Sequence, residues 1–266
     1  MRRSVKTLLD RLGSLPRRIA EGPASGLWIY APFSRARRYA RGDVEPRVVD
    51  TLTRLIPESG VAIDVGAHYG YHALVMARRA GSAGRVTAFE AQPNLAGAIR
   101  RAARRNRLGQ LEVVARAVAA EPGEALLEVS GNDSMARLLD GSNTTGRSRA
   151  VRATSLDTWA ANQPLERLDL VKIDVEGGEL DVLRGARQLL QRWRPALVVE
   201  LHRRNDLPHH PEDVTAWLAE AGYRVEPLPR DGRARTLRDA LADLAAVETP
   251  AGWMATLHIV ARPRVD

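Results

Sequence analysis

The sequence predicts an α/β fold, a doubly wound and mostly parallel sheet with helices on both faces. Two observations carry this. From Val44 onward, strand-like and helix-like segments alternate at spacings suited to βαβ crossovers. The first strand also runs straight into a glycine turn, Asp64-Val65-Gly66-Ala67-His68-Tyr69-Gly70. In such sheets that is where ligands bind, beyond the carboxyl end of a strand.

The elements follow in order. Val44, Val48, Val49, Leu52, Leu55 and Ile56 form a helical stripe ended by Pro57. Residues 61–65 read as a short apolar strand, 71–80 as a helix and 85–89 as a strand. Residues 93–108 read as a helix with Pro93 in its first turn. Residues 111–118 read as one strand and 125–129 as another. The stretch 131–149 is polar and rich in turn signals, so it reads as a loop. A short helix is expected over 155–161, a strand over 168–174, a helix over 179–192 and a strand over 196–201. The chain closes with a helix over 212–221 and a strand over 223–228. A long connection holding a helix over 237–244 then leads to a final strand over 255–261.

At 266 residues the chain suffices for one large domain and an appendage. The expected division is a basic arm, residues 1–43, and an α/β domain, residues 44–266. Of the net charge of +8, residues 1–41 account for all of it, with ten basic and two acidic side chains. The rest is neutral, so charge alone defines no nucleic-acid surface there. Only Lys6 and Lys172 are lysines; the strong arginine bias discounts single arginines as functional signals. Val5, Leu8, Leu9, Leu12 and Leu15 make a short apolar stripe, weakened by Gly13 and Pro16. This arm fits either packing on its own domain or peripheral contact with anionic lipid or an acidic partner. No run of 18 apolar residues exists, and the N-terminus lacks the apolar core of a secretory signal. The chain has no cysteine, which excludes disulfides, cysteine-ligated zinc and a cysteine nucleophile. A cytoplasmic setting is expected.

The glycine turn discriminates between cofactors. A dinucleotide site wants G-x-G-x-x-G, but here the spacing is Gly66-x-x-x-Gly70, with His68 where the middle glycine would stand. A carboxylate beside a pyrophosphate is unfavourable, whereas beside the ammonium and sulfonium end of S-adenosylmethionine it is favourable. Asp64, Gly66, Ala67, His68 and Gly70, with Glu90 at the end of the second strand for ribose hydroxyls, therefore read as an S-adenosylmethionine site.

The segments "AIDVGAHYGYHAL", "RVTAFEAQP", "LVKIDVEGGELDVLRGA" and "PALVVELH" resemble the FkbM family of methyltransferases, over about residues 60–202. The third is the most specific. The resemblance implies a class I methyltransferase domain with a seven-stranded Rossmann-like sheet whose last strand is antiparallel. It also implies methyl transfer from S-adenosylmethionine, usually to a hydroxyl of a natural product or a sugar. Asp64, Gly66 and Gly70 match the family's cofactor turn and Glu90 its ribose carboxylate. Ala91 and His68 depart from the usual proline and asparagine.

Methyl transfer to an alcohol needs the acceptor oxygen held in line and its proton removed or polarised. Candidates should gather after the fourth and fifth strands. Asp174 is expected to contact the methionine end or the acceptor. His202 titrates near neutrality and is the most natural base, and Glu200 is placed to hold it. Glu176 reads first as a helix-start acid. One short carboxylate set does not define a metal site, and none is assigned. Lys172, inside a strand, should have a paired carboxylate. Asn132, Asp133, Ser134, His209 and His210 are candidate acceptor-pocket walls. Two other functions compete: a nucleic-acid methyltransferase steered by the arm, and a non-catalytic cofactor-binding assembly protein.

Overall fold

The alternation read from the sequence is realised in the computed structural model, which describes residues 14–129, 136–139, 147–204, 206–229, 231, 233, 235–248 and 254–264. Their strands include a seven-stranded, mostly parallel sheet. The chain divides into two units, the first ending at Ala115 and the second starting at Arg116.

The first unit opens with an antiparallel hairpin, β1 (Leu15–Arg18) and β2 (Trp28–Ala31). Helices α1 (Phe33–Ala40) and α2 (Pro46–Leu55) follow. Pro46 opens α2 because the first turn needs no N–H there. Then come β3 (Val61–Val65), α3 (Tyr71–Ala80), β4 (Arg85–Phe89), α4 (Pro93–Arg105) and β5 (Leu111–Val114). The three strands β3, β4 and β5 pair in parallel. Parallel strands are covered on both faces, which is why β3 and β4 are mostly apolar; within them Asp64 and Thr87 are polar but buried, and Arg85 at the start of β4 is half-buried.

Residues 14–43, expected as an appended arm, are part of this unit's packing. Ile19, Ala24, Leu27, Ile29, Ala31 and Tyr39 are buried. The Asn106 side chain holds β2 by both ends: it accepts from the Trp28 N–H and donates to the Trp28 carbonyl, each at 2.7 Å. Arg105 and Arg101 of α4 lie over the Trp28 and Tyr30 rings, at 4.0 and 5.1 Å from their centroids. The expected apolar stripe falls mostly outside the described residues, and its last member, Leu15, starts a strand. Pro16 removes the donor that a helix would use there.

The chain beyond β4 departs from expectation in three places. The strand expected over 111–118 is split: β5 ends at Val114 because its partner β4 ends at Phe89. The chain then enters β6 (Ala117–Val118), which belongs to a separate four-stranded sheet. That sheet also holds β7 (Gly123–Val129), β8 (Ala136–Leu139) and β9 (Arg147–Thr154). Hence the stretch 131–149 is not simply a loop. Within it, residues 136–139 and 147–149 are strand, paired with β7, and turn residues concealed that pairing in the sequence; residues 131–135 and 140–146 lie outside the described residues. Asn132, Asp133 and Ser134 lie outside the described residues.

Helix α5 (Leu156–Ala160) is capped by Ser155, whose hydroxyl accepts from the Thr158 N–H. After β10 (Leu170–Ile173), the helix expected over 179–192 is two helices, α6 (Glu179–Arg184) and α7 (Arg187–Trp193). Gly185 breaks it. A Cβ there would stand 2.3 Å from the Ala119 carbonyl oxygen, so only glycine permits that approach. Asp157 supplies the cap that α7 lacks locally, accepting from the Gln188 and Leu189 N–H groups at 3.0 and 2.8 Å. The remaining elements are β11 (Ala196–Arg203), α8 (Pro211–Glu220), β12 (Tyr223–Pro227), α9 (Leu237–Ala246) and β13 (Ala255–Pro263). β10 and β11 are parallel, and β13 runs antiparallel between β11 and β12, as the resemblance implied. Among the described residues no helix is long and apolar enough to cross a membrane.

Candidate functional site

In the first unit, Asp64 is fully buried at the carboxyl end of β3. The turn after it folds through three left-handed residues, Gly66, His68 and Gly70, at φ 80°, 53° and 81°. The Gly66 and Ala67 N–H groups both donate to the Phe89 carbonyl at 3.0 Å, tying the turn to the end of β4. Gly70 is needed twice over: its φ suits glycine, and a Cβ would meet Ile99 of α4 at 2.9 Å.

Glu90 closes this half. One carboxylate oxygen accepts from the His68 N–H at 2.8 Å and the other from the Gln92 N–H at 2.8 Å, so the carboxylate plane is fixed. His68 thus acts through its backbone, and its left-handed φ, worth about 1–2 kcal/mol of strain in a non-glycine residue, aims the N–H at Glu90. Its ring packs edge-on to Tyr69, with centroids 4.1 Å apart, and its Nδ1 lies 3.4 Å from the Tyr39 hydroxyl. Burial pushes the Tyr39 phenol well up, so it stays protonated. Tyr71 donates to the Gly42 carbonyl at 3.0 Å and His72 stands 3.5 Å from Glu45. Residues 39–45 therefore brace the glycine turn, a role nothing in the motif revealed. Both side-chain acids at the strand ends, Asp64 and Glu90, are acceptors suited to ammonium and hydroxyl donors and unsuited to phosphate. That acceptor set fits S-adenosylmethionine.

In the second unit, Asp174, Glu200 and His202 come together, with ligand-type atoms within 4.8 Å of one another. Lys172, 2% exposed, finds its carboxylate here, donating to Asp174 at 3.2 Å. Buried His202 is flanked on both nitrogens. Nδ1 is 2.8 Å from Glu179, and Nε2 is 3.6 Å from Glu176 and 3.9 Å from Asp174. Glu200 faces His258 at 3.3 Å across the β11–β13 pairing, where the two residues are directly opposed.

The charges set the protonation states. Burial alone would lower His202, but the Glu179 carboxylate, hydrogen-bonded to it, and then Glu176 and Glu200 overcome this and raise it to about 10. His202 is an imidazolium at neutral pH. Burial lifts Glu176 to about 7, with His202 opposing. Burial also lifts Asp174, against the pull of Lys172. Burial would raise Glu200 too, but its hydrogen bond to His258 and that ring's charge carry it well below the ordinary carboxylate range.

The loop that builds this cluster is as constrained as the glycine turn. Glu176 and Gly177 both have positive φ, 55° and 104°. Glu179 accepts from the Gly177 N–H at 2.9 Å with the same oxygen that holds His202. Sequence reasoning did not single out Glu179 or His258. The spacing of Glu176 and Glu179 in the "DVEGGE" motif was the available signal for the first; the second needed the strand register. The histidines expected at the pocket wall have other contacts. His209 pairs with Asp181 at 3.3 Å, and the His210 N–H donates to Asp213 at 2.8 Å at the start of α8.

Parallel strands ending in carboxylates around a left-handed glycine turn, in a seven-stranded sheet with an antiparallel last strand, define a Rossmann-like methyltransferase. A model described as the methyltransferase FkbM domain matches residues 64–225, and the chain belongs to that family. It is 28% identical over 185 residues to the hexuronic acid methyltransferase AglP of Haloferax volcanii, covering 68% of this chain and 71% of that protein. The cofactor-bound structure of Rv0187 from MTB superposes with a TM-score of 0.50 at 16% identity, over 85% of this chain and 84% of that one. The methyltransferase FkbM of Methylobacillus flagellatus KT gives a TM-score of 0.47 at 15% identity and covers 76% of this chain, which spans 43% of that one.

Proposed function

We propose that this methyltransferase uses S-adenosylmethionine and methylates an oxygen, a hydroxyl of a sugar or glycan. The observation that carries the reading is the pair of buried carboxylates, Asp64 and Glu90, at the ends of adjacent parallel strands around the left-handed turn. The relative named for hexuronic acid supports a sugar acceptor. When bound, S-adenosylmethionine supplies a methyl carbon made electrophilic by its sulfonium.

The chain's own residues divide the work. Asp64 holds the ammonium end, Glu90 the ribose hydroxyls, and the backbone of Gly66, Ala67, His68 and Gly70 shapes the turn. Asp174, kept oriented by Lys172, contacts the acceptor. His202 carries a fixed positive charge that offsets the surrounding acids, and Glu200, held by His258, adds to the field on the imidazolium. A histidine protonated up to about pH 10 cannot accept the acceptor's proton at neutral pH, so its role is charge and position.

Calorimetry with S-adenosylmethionine tests this. Wild-type protein binds, and Asp64→Ala and Glu90→Ala each bind more weakly by at least about tenfold, the loss of one charge-assisted contact. Equal affinity in all three proteins, or none in the wild type, would sink the reading.

A further inference from the structure

The cluster around His202 leaves open which group takes the proton of the acceptor hydroxyl. We propose that Glu176 is that general base, an assignment that rests on the O-methylation reading. Four other groups are candidates by position, and each is committed elsewhere. Asp174 is ion-paired with Lys172 at 3.2 Å. Glu200 faces His258 at 3.3 Å. Glu179 is buried and holds both the Gly177 N–H and His202. His202 has its Nδ1 against Glu179 and a side chain only 3% exposed. Glu176 stands 3.6 Å from His202 Nε2, beyond a normal hydrogen bond, and its side chain is 23% exposed, as is that of Asp174; what separates the two is the hydrogen bond from the buried Lys172 ammonium that Asp174 accepts.

The backbone supports the same assignment. Glu176 sits in the left-handed region at φ 55°, where a non-glycine residue is held only if its surroundings over-determine it. They do. Gly177 follows at φ 104°, and Leu207 leaves no room for a side chain there, since a Cβ would stand 2.5 Å from its methyl. The Gly177 N–H is anchored on Glu179. This fold pins an acid in a strained, partly open position beside a cation, where a relaxed helix start would need neither.

The groups facing Glu176 set its proton affinity. Burial raises it, the His202 imidazolium on β11 lowers it, and Asp174 after β10, Glu200 on β11 and Glu179 on α6 raise it, to about 7. A base poised near the operating pH is the efficient one. In the step, the acceptor O–H bond breaks and the proton moves to a Glu176 carboxylate oxygen; the electron pair left on the acceptor oxygen forms the new O–C bond to the methyl carbon as the C–S bond breaks, its pair staying on sulfur and S-adenosylhomocysteine leaving. The proton then leaves to water.

The experiment combines a titration with kinetics. Protein labelled with ¹³C at glutamate side-chain carboxyls is titrated by NMR, the Glu176 resonance being the one lost in Glu176→Gln. Methylation is measured with S-adenosylmethionine and a methyl glycoside of glucuronic acid as the acceptor probe. The resonance is expected to titrate near 7, and kcat to fall below the same midpoint. Glu176→Gln should lose about 10²–10⁴ in kcat while binding S-adenosylmethionine like the wild type, and Glu176→Asp should recover part of the rate. A midpoint in the ordinary range near about 4.3, a flat pH profile, or a folded Glu176→Gln with wild-type kcat would overturn the assignment. A midpoint near 7 alone does not establish the base; the rate loss in Glu176→Gln with unchanged S-adenosylmethionine binding does. Wild-type protein that binds no S-adenosylmethionine would overturn the O-methylation reading, and the base with it.

Discussion

The glycine turn of the first unit and the His202 cluster of the second solve the same problem by opposite means. The turn is built from backbone: three left-handed residues, one carbonyl acceptor on the neighbouring strand shared by two N–H groups, and a carboxylate oriented by N–H groups. The cluster is built from charge: acids, an imidazolium and an ammonium buried together. Backbone geometry is local and tolerates changes in solution conditions. A buried charge network is set by distant residues and responds to pH and to every single-charge change.

The largest difference should appear in Glu179→Gln. It removes one charge from a pair buried on both sides and leaves the imidazolium short of a partner, a loss of about 3–5 kcal/mol in denaturant unfolding. The pH dependence sharpens this. The folded pKa of His202 is raised to about 10, above an unfolded value of about 6.5. Its contribution is therefore fully present below about pH 6.5 and fades as pH rises through about 10. Wild-type stability should decline over that window and Glu179→Gln should flatten the decline; an unchanged slope would mean that His202 is not held by Glu179.

In the turn, Gly70→Ala is the strongest single test. The new methyl meets both an unfavourable φ and Ile99, at a cost of about 2–4 kcal/mol that should not vary with pH. A neutral result would mean that α4 yields easily. The smallest effect belongs to Tyr39→Phe, which removes only a long contact to His68. About 0.5–1 kcal/mol should be lost in thermal melts.

The two regions also differ in how far the sequence discloses them. Asp64, Gly66 and Gly70 sit within one strand–turn stretch, so spacing alone exposes them, and Glu90 follows at the next strand end. His68 was the least readable member, because its contribution is an N–H whose direction depends on φ. In the second unit Asp174, Glu200 and His202 could be placed by strand-end position. Yet the partners that decide their chemistry could not. Glu179 folds back across a glycine turn, and His258 arrives through the β11–β13 register, which no local pattern encodes. His202 looked like a base because isolated imidazoles titrate near neutrality; three surrounding carboxylates reverse that. The split of the 111–118 strand was likewise hidden, since it depends on where β4 stops.

The two-ended grip of Asn106 on Trp28 has a consequence for synthesis. The residues it joins are 78 apart in the chain, and the α4 arginines that cover the same aromatics come equally late. The β1–β2 hairpin is made well before its docking surface on α4. At ribosomal rates of about 5–20 residues per second, the hairpin must wait roughly 4–16 s before its receptor exists. During that interval Trp28, Ile29 and Tyr30 are newly made apolar surface without the helix that will cover them. The hairpin is thus made before α4 and docks only after it.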